Sequence, residues 1–310
     1  PCALGLATPM SIMVGVGRGA QMGVLIRDAA ALETLEKIDT LVVDKTGTLT
    51  VGKPSLQQVC ALPGIDGITL LRLAASVEAA SEHPLARAIV ERAQRDELVL
   101  HAASDFGSDP GLGAWARVDD QPVLVGNTRL LQARKIDDAP LQALAAQIRE
   151  KGQTAVLVAV DGKPAGVLAV ADAIKPTTPA ALAALRASGI HVIMLTGDNR
   201  VTAEAVGREL GIDEVIADVL PADKAATVRA LQSRRHRVAM AGDGVNDAPA
   251  LAAADVGIAM GTGTDIAMQS AGVTLLRGDL IGIDHAIQLS RATMRNIRQN
   301  LFFAFGYNAL

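Results

Sequence analysis

The five residues Asp44-Lys45-Thr46-Gly47-Thr48 come directly after the apolar run Leu41-Val42-Val43. That run reads as a buried parallel strand, and open α/β sheets place their reactive groups just past the carboxyl ends of such strands. A carboxylate in that position can attack a terminal phosphoryl group and become an aspartyl-phosphate. Two more apolar runs end in polar residues. His191 to Leu195 leads into Thr196-Gly197-Asp198-Asn199, and Arg237 to Ala241 leads into Gly242-Asp243-Gly244-Val245-Asn246-Asp247. Three strand ends of this kind can face one crevice.

The elements that must position these residues follow from the same pattern. From about 166 to 276 strands and helices alternate, which predicts a doubly wound parallel sheet. A helix over Pro179–Ala187 ends before Gly189, another covers Thr202–Leu210, and Pro221-Ala222-Asp223-Lys224 opens a third. The sheet domain is assigned to 26–50 and 166–276, following a short helix over Arg27–Glu36. Residues 51–165 read as an inserted α+β domain, with a helical segment from roughly Ile68 to Asp96 and weak strands after it. Gly111-Leu112-Gly113 and Val125-Gly126-Asn127 are placed in turns. Two further patterns carry no function. Gly15-Val16-Gly17-Arg18-Gly19-Ala20 matches a dinucleotide fingerprint without the strand it needs, so close helix packing by small residues explains it. Gly47 to Pro54 nearly spells a P-loop, but Pro54 stands where the magnesium-binding hydroxyl should be.

Composition narrows the function classes. The chain has 310 residues, a formal charge of −4, 50% hydrophobic and 2% aromatic residues. That is enough for two domains with aliphatic cores. Charges of both signs are spread along the chain, which argues against nucleic acid as a partner. The basic cluster Arg234-Arg235-His236-Arg237 reads as a solvated helix end. Cys2 and Cys60 give no disulfide framework and suit a reducing compartment. Residues 1–17 and 301–310 are uncharged, and both read as partial membrane helices. Hence 1–25 is assigned to a membrane helix, and 277–310 to a linker helix with the start of the next. The whole reads as a piece of a longer membrane protein.

The Asp44–Thr50 stretch, DKTGTLT, resembles the phosphorylation motif of P-type ion-pumping ATPases, and four motifs in that family's order cover nearly the whole chain. The resemblance is to the heavy-metal branch, most of all to its copper(I) exporters. It implies a haloacid dehalogenase-like phosphorylation domain carrying an inserted nucleotide-binding domain, with ATP and Mg2+ in use. Asp44 would be the nucleophile, and Asp243 and Asp247 would bring hard oxygen to Mg2+. Lys224 would set a cation against the developing charge, while Thr196 and backbone N–H groups, including that of Gly197, hold phosphoryl oxygens. Lys45 and Thr46 complete the motif, Asn246 is a hydrogen-bond donor, and Asp198 matches a hinge motif. Ser81-Glu82-His83-Pro84-Leu85-Ala86 is similar to the branch's nucleotide signature. His83 would lie beside adenine and Glu78 would bond its edge, with Gly111, Gly113, Gly126 and Asn127 as companions. Trp115 carries no functional reading beyond packing. Cys2 beside Pro1, with Tyr307 and Asn308, resembles the transported-metal site, where a thiolate suits Cu(I). The resemblance implies a multi-pass membrane protein with cytoplasmic catalytic domains, an actuator domain and further membrane helices as partners, and a copper chaperone as a candidate partner.

Two rivals stay in view. A soluble phosphatase of the haloacid dehalogenase type usually has a second aspartate two residues after the nucleophile, where this chain has Thr46. A threonine is a poor proton shuttle near neutral pH, so the aspartyl-phosphate should persist. A non-enzymatic metal-binding or scaffold protein would not need Lys224, Asp243 and Asp247. A pump for Zn, Cd or Co is the alternative to copper.

Overall fold

A computed structural model describes residues 2–261 and 264–309; of 2–4, 245 and 307–309 it describes the backbone alone. The chain divides into two units: Pro1–Val51, Ile174–Asp198 and Gly207–Leu310 form one, and Gly52–Ala173 with Asn199–Val206 the other.

In the first unit the described residues form a seven-stranded sheet. Its order is Val24–Ile26, Val273–Leu275, Val256–Met260, Val238–Gly242, Thr40–Asp44, His191–Leu195, Glu214–Ile216. Every neighbouring pair is parallel except the first. Thr40–Asp44, Val238–Gly242 and Val256–Met260 are buried at every position, as parallel strands covered by helices on both faces must be. After Thr40–Asp44 the chain builds outwards through His191–Leu195 to Glu214–Ile216, then returns to the other side of Thr40–Asp44 at Val238. That reversal is the switch point of the sheet, and it lies beside Asp44.

The helices Cys2–Gln21 and Ile281–Ala309 pack together in the same unit. A Cβ on Gly15 would stand 2.7 Å from the Thr293 hydroxyl, and one on Gly19 3.0 Å from the Val24 carbonyl oxygen. The small residues of the dinucleotide-like pattern therefore lie inside a helix and serve close approach. Among the described residues no helix is long and apolar enough to cross a membrane.

The second unit is a six-stranded antiparallel sheet in the order Ser55–Ala61, Lys163–Ala171, Thr154–Val160, Gln121–Gly126, Gly113–Val118, Ala103–Asp109. Alternate residues feed two cores, as the strand period of two requires. Val123, Val125, Val156, Val158 and Leu168 pack on the helices Gly67–Glu78 and Pro84–Arg95. Leu124, Leu157, Val167 and Ala169 pack on Thr128–Ala133 and Ala139–Glu150.

Three elements differ from the reading of the sequence. The segment from Ile68 to Asp96 is two helices, because Pro84 lacks an N–H and starts a new one, capped by the His83 ring accepting from the Leu85 N–H. Val125 and Gly126 end a strand instead of lying in a turn. Lys163–Ala171 pairs antiparallel with Ser55–Ala61 and so carries the second sheet past residue 165. Trp115 packs in its strand with the Arg134 guanidinium 3.8 Å from the ring centroid, and a Cβ on Gly107 would strike the indole.

Candidate active site

Register explains why residues far apart in sequence meet at the switch point. Val43 pairs with Ala241 on one side, and Asp44 with Leu195 on the other. The parallel strands thus deliver Asp44, Asp243 and Thr196 to one edge of the sheet. Beyond Asp44 the chain makes a tight loop over Lys45–Leu49, with Gly47 at φ +73°. A Cβ there would sit 1.7 Å from the Asp243 carboxylate, so only glycine permits this approach.

Lys224, at the start of the Lys224–Ser233 helix, reaches Asp44 Oδ1 at 2.6 Å and Asp247 Oδ1 at 2.7 Å. All three side chains are buried. Burial, then the adjacent Asp247 carboxylate, push the Asp44 carboxyl up to about 7 against the pull of Lys224. Burial alone would lower the Lys224 pKa, but Asp44 and Asp247 outweigh it and hold the ammonium above its ordinary value. The Asp243 carboxyl is raised by burial and by Asp247, with Lys175 and Lys224 pulling it down.

Among the described residues, Asp44, Asp243 and Asp247 are the one group of three that could hold a metal ion, with ligand oxygens within 4.8 Å of one another. An all-oxygen, partly buried donor set fits Mg2+. In the loop after Asp44, the Thr48 hydroxyl is fully buried without a hydrogen-bond partner. Lys45 pairs with Asp198, whose N–H donates to the Thr196 hydroxyl at 3.1 Å. Gly197 runs under the Val219 carbonyl, at 3.3 Å from a would-be Cβ. Thr46 is exposed in the loop, and Asn246 is exposed on the turn that carries Asp247.

Sequence reasoning missed Lys175. Its ammonium donates to the carbonyls of Gly47, at 2.5 Å, and Gly278, at 2.9 Å. Its bonds to two backbone carbonyls leave no mark in the sequence, and Asp243, on which its charge also acts, lies far along the chain. Only its place, just after an apolar strand and before Pro176, could have drawn attention to it.

In the second unit, Glu78, His83, Gly111, Gly113, Gly126 and Asn127 line one cavity of about 320 Å³. Glu78 ends its helix buried, and desolvation raises its carboxyl to about 7 although a Ser81 hydrogen bond pulls the other way. Desolvation also holds the His83 imidazole below its ordinary value. Gly113 and Gly126 face each other across two strands, with no room for a Cβ on either. Asn127 spends its side chain on the protein: Nδ2 donates to the Gly111 carbonyl at 2.8 Å, and Oδ1 accepts from the Leu130 N–H at 3.1 Å. The side chains of Cys2, Tyr307 and Asn308 lie outside the described residues.

Residues 38–255 match the haloacid dehalogenase-like hydrolase family. The chain is 57% identical over all its 310 residues both to a silver exporting P-type ATPase of Salmonella typhimurium and to a copper-transporting P-type ATPase of Rhizobium leguminosarum bv. viciae. It spans only 38% and 37% of their lengths. A crystal structure of a zinc-transporting PIB-type ATPase in the E2.Pi state is similar over 99% of the chain and 50% of its own, with TM-score 0.78 and 41% identity. The catalytic domain of the CPx-ATPase CopB-B, from a study of nucleotide-induced conformational change, is similar over 88% of the chain and 98% of its own, with TM-score 0.70 and 30% identity.

Proposed function

The chain belongs to the haloacid dehalogenase-like hydrolase family and, within it, to the heavy-metal P-type ATPases, and from there we propose that Asp44 takes the γ-phosphoryl group of ATP to drive export of Cu(I). The observation that carries this reading is the buried contact of Lys224 with Asp44 and Asp247, beside Asp243.

An Asp44 oxygen attacks the γ-phosphorus, the bond to the bridging oxygen breaks, and ADP leaves with that electron pair. Lys224 steadies the carboxylate before attack and offers its charge to the phosphoryl oxygens as they gain charge. The Thr196 hydroxyl and backbone N–H groups of its loop, Gly197 included, supply uncharged donors. Lys45 is held by Asp198 and keeps a second cation at the loop, and Asn246 adds a donor at the rim. Asp243 and Asp247, with Asp44, would hold Mg2+, which neutralises phosphoryl charge when bound. Thr46 cannot relay protons to water, so the acyl phosphate outlives its formation.

The cavity of the second unit takes the adenine end of ATP. Burial raises the Glu78 carboxyl to about 7, which favours its protonated form as a donor to the ring edge, while His83 lies along the ring. Asn127 shapes the Gly111–Gly113 wall in place of touching the ligand. In the same reading Cys2, Tyr307 and Asn308 belong to the transported-metal site. The chain is then part of a multi-pass membrane protein with cytoplasmic catalytic units, served by an actuator domain and by a copper chaperone. Zinc is the second reading, favoured by the similarity to the zinc-transporting ATPase.

The test is incubation with labelled ATP and Mg2+. Acid-stable, hydroxylamine-labile label should form, and it should vanish in Asp44→Asn. Label that survives that substitution would remove Asp44 as the nucleophile. For the ion, Cu(I) but not Zn2+ should stimulate turnover of a full-length pump carrying this sequence; the reverse preference would select zinc.

A further inference from the structure

Lys175 opens the segment Ile174–Asp198 of the first unit and is half-buried. Its ammonium holds two carbonyls that are remote from each other in sequence, those of Gly47 and Gly278. Gly47 belongs to the loop that follows Asp44, and its Cα is pressed against the Asp243 carboxylate. Gly278, at φ +59°, forms the turn after Val273–Leu275, from which the helix Ile281–Ala309 rises. The backbone around Lys175 grips the same loop a second time. Its N–H donates to the Leu49 carbonyl at 3.0 Å, and the Thr178 hydroxyl donates to that oxygen at 2.9 Å. Charge-assisted bonds from an ammonium to carbonyls are stronger than neutral ones. Here they join two segments that no strand pairing connects directly. The loop cannot shift its Gly47 carbonyl without breaking one of these bonds or drawing the Gly278 turn with it.

We propose that Lys175 is a positioning residue that ties the phosphorylation loop to the root of the Ile281–Ala309 helix. It sets the spacing between Asp44 and Asp243 for attack, and it passes any movement of the loop on phosphorylation to that helix. The inference rests on the phosphoryl-transfer reading of Asp44.

The test compares the whole chain with its Lys175→Met and Lys175→Arg variants. With Mg2+ and saturating labelled ATP, the initial rate of hydroxylamine-labile label should fall about tenfold or more in Lys175→Met. The ATP concentration giving half-maximal rate should change less than about threefold, because the nucleotide pocket lies in the other unit. Lys175→Arg, which keeps the charge and the donors, should recover most of the rate. Hydrogen exchange with Mg2+ and beryllium fluoride, a mimic of the aspartyl-phosphate, gives the second readout. The wild-type chain should change its exchange at 44–50 and at 276–290 together, and Lys175→Met should lose the change at 276–290. A Met variant that labels at the wild-type rate overturns the proposal. So does one that keeps the wild-type response at 276–290, or one whose rate and ATP dependence fall together as in a damaged chain. Absence of label in the wild-type chain would instead contradict the phosphoryl-transfer reading, and exchange at 276–290 would still judge the tether.

Discussion

Lys224 holds two buried carboxylates at once and is the cation in direct contact with both. Replacing it with Met leaves Asp44 and Asp247 facing each other without a counter-charge, which removes the fixed charge opposite the phosphoryl group. The rate of phosphorylation in Lys224→Met should fall about 100-fold, with nucleotide affinity of the second unit unchanged by titration. Equal rates in variant and wild type would contradict the role given to Lys224. Thr46→Asp should supply the missing proton shuttle and shorten the life of the phosphorylated chain, about tenfold or more in a chase with unlabelled ATP. An unaltered lifetime would remove Thr46 from the account. Glu78 makes a pH prediction. Its folded-state pKa of about 7 lies above the ordinary 4.5, so the folded state holds the proton more tightly than the unfolded chain. The stability it contributes is full below about 4.5 and is lost as pH rises towards 7. Glu78→Gln should therefore stabilise the second unit by about 3 kcal/mol at pH 8 and by little at pH 4. Fluorescence of Trp115, the one tryptophan, reports that unit in urea titrations; a gain equal at both pH values would contradict the assignment.

At the scale of elements, the strands that end at Asp44, Thr196 and Asp243 were legible because parallel strands buried on both faces leave continuous apolar runs. Their adjacency was not in the runs themselves and came from the order of the sheet. The boundary read at about 165 falls inside the strand Lys163–Ala171 for a related reason. The strand's interior is buried throughout, so nothing in its own sequence separates an antiparallel strand between two helical layers from a parallel one. The break before Pro84 could have been read from the proline, yet apolar residues at helical spacing continue on both sides of it. Asn127 was legible as a residue of interest but not in its task. Its bonds go to a main-chain carbonyl and an N–H, neither of which depends on side-chain type. Asn127→Ala should cost about 1–2 kcal/mol of stability in the second unit through loss of the helix cap, and weaken nucleotide binding through the freed Gly111 loop. Loss of binding at full stability would make Asn127 a direct ligand instead.

For the whole molecule, each unit has its own core, and the proposed function gives each its own task, nucleotide holding in one and phosphoryl acceptance in the other. Antiparallel pairing joins all six strands of the second unit, and its helices cover both faces. A chain limited to 52–173 is expected to fold and bind ATP without ever becoming labelled; label on that piece would contradict the division of labour. The central claim, a covalent phosphate on one named carboxylate, has a direct measurement. Borohydride reduces an acyl phosphate to an alcohol, turning a phosphorylated aspartate into homoserine that mass spectrometry places in the sequence. After incubation with ATP and Mg2+ and acid quenching, homoserine should appear at position 44 and be absent without ATP. Homoserine at another aspartate, or a labelled chain with position 44 unmodified, would contradict the account.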